Sequence, residues 1–424
     1  MLPSAVLSKR LLRRAGIALA AVALAGFTDL LPERMAEIQK QVEQVRGRRF
    51  SKPVPASEID AAELKRVLRA KLTEALPAPE AEYFRTLSSL GLIEDSPGML
   101  DTIVDFYASQ VIAFYDPEPR RFFVVKGAEA REEMMDAGEI GRDLIFSHEL
   151  THALQDETLH LDDMVKSMKD DSDRSFALQS LLEGEATLVM IRTALQSIPA
   201  ADESAEEAMI PLLSAGALER ANVPKGVPDY FVDQLFFPYV EGTAFVRDAV
   251  KRGGWAEVDR LWKNPPASSS EILHGAPYPA PAKNLLPSNA ASLVPGYRLV
   301  YMDTLGEWTL RFLLARALPE EEAEAAADGW RGDRIAFFTS NGRMGYLWRI
   351  RFDEPASAAR FETALKKARA KNPLPAPETT FRDGADLLVV SGISKIPELP
   401  GFRPKNEKGE ADTGLPKSTR SSKR

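Results

Sequence analysis

Residues 148–152 read His-Glu-Leu-Thr-His, in a chain of 424 residues that holds only four histidines. Two imidazoles four positions apart share one face of a helix, one turn from each other, so both rings can reach the same cation. Glu149 points one step round, where its carboxylate can meet a water held by that cation. Zinc makes such a water acidic enough to ionise near neutral pH, and a carboxylate that takes the proton can pass it on. The spacing predicts metal-assisted hydrolysis, with His148 and His152 as ligands, Glu149 as general base and Zn2+ as cofactor.

Two imidazoles are one ligand short, because catalytic zinc usually takes three protein ligands and leaves a position open. Asp156 and His160 continue the row at steps of four. Two helical turns put Asp156 about 12 Å from His148, too far to share an ion whose ligands sit about 2 Å away. Asp156 is expected instead to accept from the second ring nitrogen of His152, and His160 is read as a surface residue. The segment SFALQSLLEGEATLVMIRTAL (175–195) reads as a helix apolar nearly all round, hence buried, with Glu183 and Glu185 at its centre. A buried carboxylate must be paired or bound to a cation. Residues two apart lie on nearly opposite helix faces, so one of the two is assigned to the ion. Ser180, Gly184, Ala186 and Thr187 around Glu183 form a surface that admits a neighbouring helix, whereas Leu181, Leu182, Leu188 and Val189 around Glu185 fill core. Glu183 is therefore taken as the third ligand, with Glu185 as the alternative and a structural ion pair as the competing role.

The elements that must position these groups are legible on either side. VIAFYDPEPRRFFVV (111–125) presents two apolar and aromatic runs around a proline-bearing turn, the composition of a β-hairpin. An edge strand there could pair with an extended peptide through main-chain hydrogen bonds, which makes Ala113, Phe114 and Tyr115 candidate substrate-binding residues. Residues 31–90 carry helical patterns interrupted by RRFSKPVP, whose prolines forbid helix. FVDQLFFPYVEGTAFVRDAVKRGGWAEVDRLW (231–262) reads as a buried helix ended by Gly253-Gly254 and followed by another. In NPPASSSEILHG (264–275), His274 is a candidate donor to the oxyanion of a scissile carbonyl, with a capped loop histidine as the plainer role. Residues 277–296 are proline-rich and read as a linker. Beyond them the order of runs is β-β-α-β, expected as a small domain with an antiparallel sheet, with the glycines of GWRGDR (329–334) making a turn at its entrance.

The expected organisation is a signal peptide over 1–25, a helical region over 26–105, an HExxH core over 106–276, a linker over 277–296, a C-terminal α+β domain over 297–396 and a polar, disordered tail over 397–424. The fold class is α+β: a mainly helical domain with a small hairpin or sheet before the HExxH helix, plus the small C-terminal domain. Residues 9–25 run from Lys9, Arg10, Arg13 and Arg14 through an apolar stretch to Ala23 and Ala25, the order of a secretory signal, with a membrane anchor as the alternative. The stretch falls short of the ~20 residues a membrane span needs. The expected location is the periplasm or the exterior, with no span beyond the signal segment. The chain has no cysteine, which excludes disulfides, thiolate metal sites and a lipid-modified N-terminal cysteine. The formal net charge is −8, and loss of four positive charges with the signal makes the remainder more acidic. Such a surface repels phosphate backbones and argues against nucleic acid as a partner. No phosphate loop, dinucleotide fingerprint or Ser/His/Asp order is present, and nothing in the sequence fixes an oligomeric state.

HELTHALQD followed by EGEAT resembles the exported bacterial HExxH metallopeptidases of the gluzincin type, in which a glutamate on a second helix completes the site. RGRRFSKPVP, VIAFYDP, FFPYVEGTAFVRDAVKRGGW, NPPASSSEILHG and GWRGDR resemble, in that order, blocks of one family of such proteins, so the likeness covers most of residues 30–395. It implies a zinc site of His148, His152 and Glu183, Glu149 as base, and a peptide or protein substrate. The stretch between His152 and Glu183 is longer than in the more compact, best-studied gluzincins. The competing expectation is a catalytically inactive exported binding protein that keeps such a fold around a structural metal. Glu149 separates the two, since a binding module needs no base between its ligands.

Overall fold

A computed structural model describes residues 31–127, 138–159, 170–196, 203–214, 223–395, 398–399 and 401–402. The expected signal segment, most of the expected tail, and His160 lie outside the described residues. The fold is α+β and divides into two compact units, one within residues 1–84 and 93–278, the other within residues 85–92 and 279–424. No division falls near residue 105, where the helical region and the HExxH core were expected to meet.

The first unit is assembled from amphipathic pieces. Helix α1 (Leu31–Arg46) carries Met35, Ile38 and Val42 on one stripe, all buried. Strand β1 (Ala56–Ile59) follows the prolines of the expected helix break. Asp60 caps α2 (Ala61–Ala75) by accepting from the Glu63 N–H at 2.8 Å; α3 (Glu80–Ser89), whose residues from Arg85 on are assigned to the second unit, and α4 (Met99–Gln110) come next. The hairpin is present as β2 (Ala113–Asp116) and β3 (Arg121–Val125), antiparallel, with β1 added parallel to β3 to give the order β1-β3-β2. Helix α5 (Gly138–Thr158) contains the HELTH residues. Its Phe146, Leu150 and Leu154 form one core with the α1 stripe, Ala113, Phe122, Val124 and Val189. The apolar row at steps of four thus anchors the helix, leaving the His148/His152 row to face elsewhere.

Helix α6 (Ser172–Leu195) is buried almost throughout, including Glu183 and Glu185. After α7 (Glu203–Ser214), the long helix α8 (Asp229–Gly253) packs along α6. They meet backbone to backbone: a Cβ added at Gly184 would overlap the Gly242 carbonyl, and one added at Gly242 would overlap the Ser180 carbonyl. Of the small residues beside Glu183, Gly184 and Ser180 therefore admit α8. Gly242→Ala should destabilise the protein by about 3 kcal/mol or more through this overlap, since the roughly 1 kcal/mol gain in helix propensity does not offset it. Urea unfolding of the metal-free chain measures it, and an unchanged midpoint would count against the contact. Helices α9 (Trp255–Lys263) and α10 (Ser269–His274) complete the unit.

The second unit holds a five-stranded antiparallel sheet, β4 (Arg298–Asp303), β5 (Trp330–Ser340), β6 (Arg343–Phe352), β7 (Glu378–Asp383) and β8 (Asp386–Ser391), in the order β4-β5-β6-β8-β7. Helices α11 (Gly306–Ala315), α12 (Glu320–Ala327) and α13 (Pro355–Lys371) belong with it. From Pro279 on, the expected linker is part of this unit: Leu286, Ala290 and Val294 are buried in the core with Phe338 and Leu347, because the apolar residues between the prolines have a sheet face to cover. GWRGDR is mostly strand. Gly329 does turn (φ +87°), but Gly332 (φ +134°) lies at a β-bulge whose backbone is so close to Ala282 that a Cβ would collide with it. The buried Asp333 of that segment accepts from the N–H groups of Leu305 and Gly306 at the start of α11 and from the indoles of Trp330 and Trp348. The segment is structural: it pins a helix start to the sheet.

Candidate metal centre

The structure brings His148, His152 and Glu183 together. The Nε2 atoms of the two histidines are 3.1 Å apart, and Glu183 Oε2 lies 3.2 Å from that of His148 and 3.3 Å from that of His152. His148 and Glu183 are fully buried, and His152 keeps 14% of its side chain exposed. Three ligands about 2.0–2.1 Å from a tetrahedral zinc are separated from one another by about 3.3 Å, so the triangle has the size such an ion requires. Glu183 Oε1, Glu149 Oε1 and His148 Nδ1 are buried with no hydrogen-bond partner. Orphaned polar atoms are costly in a protein interior; a cation and its water would satisfy the two carboxylate oxygens, whereas His148 Nδ1 is on the far side of its ring from the triangle.

The charges are arranged in the same sense. Burial opposes a charge on His148 and holds its pKa below the ordinary value. Burial also opposes a charge on His152, but the Glu183 carboxylate outweighs it and raises the pKa. Against its own burial, Glu183 is pulled below the usual carboxylate range by His152 and by hydrogen bonds from both rings. These directions favour charge on His152 and Glu183 and a neutral His148.

Glu149 sits next to the triangle without belonging to it. Its Oε2 accepts from the Tyr115 N–H of β2 at 2.9 Å. The Val125 N–H donates to the Ile112 carbonyl, so in the antiparallel register Phe114 faces β3 while the backbone groups of Ala113 and Tyr115 point away from it. Ala113 and Tyr115 therefore lie on the sheet edge nearest Glu149. Phe114 does not suit a substrate contact: its backbone is in the ladder and its ring stacks on Phe123 at 5.2 Å.

The expected role of Asp156 needs correction. His152 Nδ1 is met by Gln155 Oε1 at 2.8 Å, and Asp156 instead accepts from the Tyr115 hydroxyl at 2.9 Å. The ring nitrogen reaches the residue three positions on, while the position four on is taken by a side chain arriving from β2. Glu185 forms a buried ion pair with Arg46 of α1, and its other oxygen accepts from the Trp262 indole at 2.6 Å and from Gln155 Nε2 at 3.0 Å. His274 is exposed and stacks on Tyr278 with ring centroids 5.0 Å apart. The tyrosine ring beside the triangle is that of Tyr239 in α8, 5.8 Å from His148. Sequence reasoning missed Gln155, Arg46, Trp262 and Tyr239. Only Gln155 carried a local signal, its spacing of three from His152.

A family model described as Domain of unknown function (DUF8575) matches residues 297–391, the stretch that contains β4 to β8. No curated protein and no solved structure matches the chain. The matched stretch does not include His148, His152 or Glu183. Among the described residues, no helix is long and apolar enough to cross a membrane.

Proposed function

We propose that the chain is a zinc-dependent metallopeptidase of the HExxH, gluzincin-like type, hydrolysing peptide bonds outside the cytoplasm. The observation that carries this reading is the buried triangle of His148, His152 and Glu183 with the half-satisfied Glu149 carboxylate beside it. Zinc, when bound by these three residues, would acidify a water and polarise the scissile carbonyl. Glu149 Oε1 has no partner and can take a proton, while the Tyr115 N–H holds Oε2 in place. β2 is buried along its whole length and its Tyr115 N–H is taken by Glu149, so its part at the site is to hold the base, and the sequence expectation of a peptide pairing along Ala113 and Tyr115 has no open edge to support it. The location rests on the signal-like order of residues 9–25.

Elemental analysis of the purified protein, with casein or peptide-library cleavage run alongside, tests the proposal. About one zinc per chain and chelator-sensitive cleavage are expected. Zinc without cleavage would favour the binding-protein alternative.

The charge pattern adds a pH dependence. His152 is held protonated by Glu183 in the metal-free protein, and a ligand nitrogen must be deprotonated. Zinc uptake near neutral pH should therefore release about one proton, and affinity should rise about tenfold per pH unit until the raised pKa of His152 is passed. Calorimetry in buffers of differing ionisation enthalpy counts the proton. Affinity that does not change with pH would show that His152 is already neutral in the metal-free protein and would overturn the raised pKa.

A further inference from the structure

Gln155 stands between the metal triangle and a buried ion pair, and its orientation is fixed by its surroundings. Its Nε2 lies 3.1 Å from the Leu182 carbonyl and 3.0 Å from Glu185 Oε2, both of which accept only. The amide oxygen must then face His152 Nδ1, at 2.8 Å, and accept from it. In the neutral ring that a metal requires, this hydrogen bond places the proton on Nδ1 and leaves the Nε2 lone pair for the triangle. Arg46 holds Glu185 in place: its Nε meets Glu185 Oε1, its NH2 group meets Asp259 at 2.6 Å, and its guanidinium lies 4.6 Å over the Trp255 ring. Trp262 holds Glu185 from a further side.

We infer that Arg46, Glu185 and Gln155 form a positioning chain that holds His152 as the Nδ1-protonated tautomer with Nε2 presented to the metal, making α1 a working part of the centre. The inference rests on the metallopeptidase reading for the identity of the ligand, but the tautomer it assigns does not. A buried ion pair is weak support for stability, because the desolvation of both charges offsets much of their attraction. Its contact with the residue that orients a metal ligand gives it a role in that ligand's geometry.

Zinc affinity, read by chelator competition on the full chain, and the imidazole 15N spectrum of the zinc-loaded protein test it together. In the wild type, the His152 ring should show a protonated Nδ1 and metal on Nε2. Gln155→Leu, which keeps bulk and removes the acceptor, should weaken zinc about 10–100-fold. Arg46→Met should weaken it in the same sense, while Arg46→Lys, which keeps the cation beside Glu185, should bind closer to the wild type than Arg46→Met does. Wild-type affinity in Gln155→Leu, or metal on Nδ1 of His152, overturns the proposal. If Gln155→Leu does not fold, the wild-type spectrum alone decides between the tautomers. A wild-type protein that takes up no zinc defeats the metallopeptidase reading, and the metal-free spectrum at alkaline pH then still decides the tautomer: proton on Nδ1 supports the chain, proton on Nε2 overturns it.

Discussion

Glu149→Gln should retain about one zinc per chain and lose hydrolysis by about 10²–10⁴-fold or more. Glu149 is outside the triangle, so replacing it removes no ligand atom. The amide oxygen of a glutamine can go on accepting from the Tyr115 N–H, as Glu149 Oε2 does at 2.9 Å, so the side chain keeps its place. What disappears is the ability of the other atom, now a donor, to take a proton. His148→Ala should behave in the opposite way, losing the metal and activity together, because His148 Nε2 is one corner of the triangle. Zinc content and initial rates on one cleaved peptide separate the two variants. Full activity in Glu149→Gln would exclude the mechanism, and loss of zinc in that variant would make Glu149 a support of the ion and not its base.

The contrast between those variants depends on helices that were readable in the sequence. HELTH lies in an unbroken run with apolar residues at steps of four, and the buried row of Phe146, Leu150 and Leu154 shows why that pattern forces a helix. The carboxylate-bearing helix was readable for a different reason: two glutamates within a wholly apolar run have to be compensated. The partners that compensate Glu185 were not readable. Arg46 is 139 positions away in sequence and Trp262 is 77, and no periodicity joins them. The small residues near Glu183 were read as admitting a neighbouring helix without naming it, and at Ser180 and Gly184 that helix is α8 through Gly242. Strand β1 is four residues long and exists because β3 offers a parallel edge, so its own composition could not announce it. Strand β7 is a largely polar sheet edge, and the four-strand-deep pairing that makes it a strand is tertiary. Asp156 and Gln155 differ by one position, and a strand arriving from residue 115 settled which of them turned toward His152.

Glu183→Ala should empty the centre at submicromolar free zinc, whereas Glu185→Ala should still hold metal. Glu183 Oε2 is within 3.3 Å of both imidazole nitrogens, and its removal leaves two ligands where catalytic zinc sites use three. Glu185 has no atom in the triangle. Its oxygens are taken by Arg46, Trp262 and Gln155, so its loss acts on the centre only through the orientation of Gln155. That should raise the zinc concentration needed by about 10–100-fold without abolishing binding. The stability effect should run the other way. Glu185→Ala leaves the buried Arg46 charge without its main partner, a change that costs about 3–5 kcal/mol in comparable buried pairs. Asp259, which also meets Arg46, draws the expected loss toward the lower end of that range. Equilibrium dialysis against buffered zinc, with urea unfolding of each metal-free variant, reads both quantities. If Glu185→Ala loses zinc while Glu183→Ala retains it, the carboxylate that holds the ion is on the other face of α6, and the triangle of His148, His152 and Glu183 is only an ion-pair cluster.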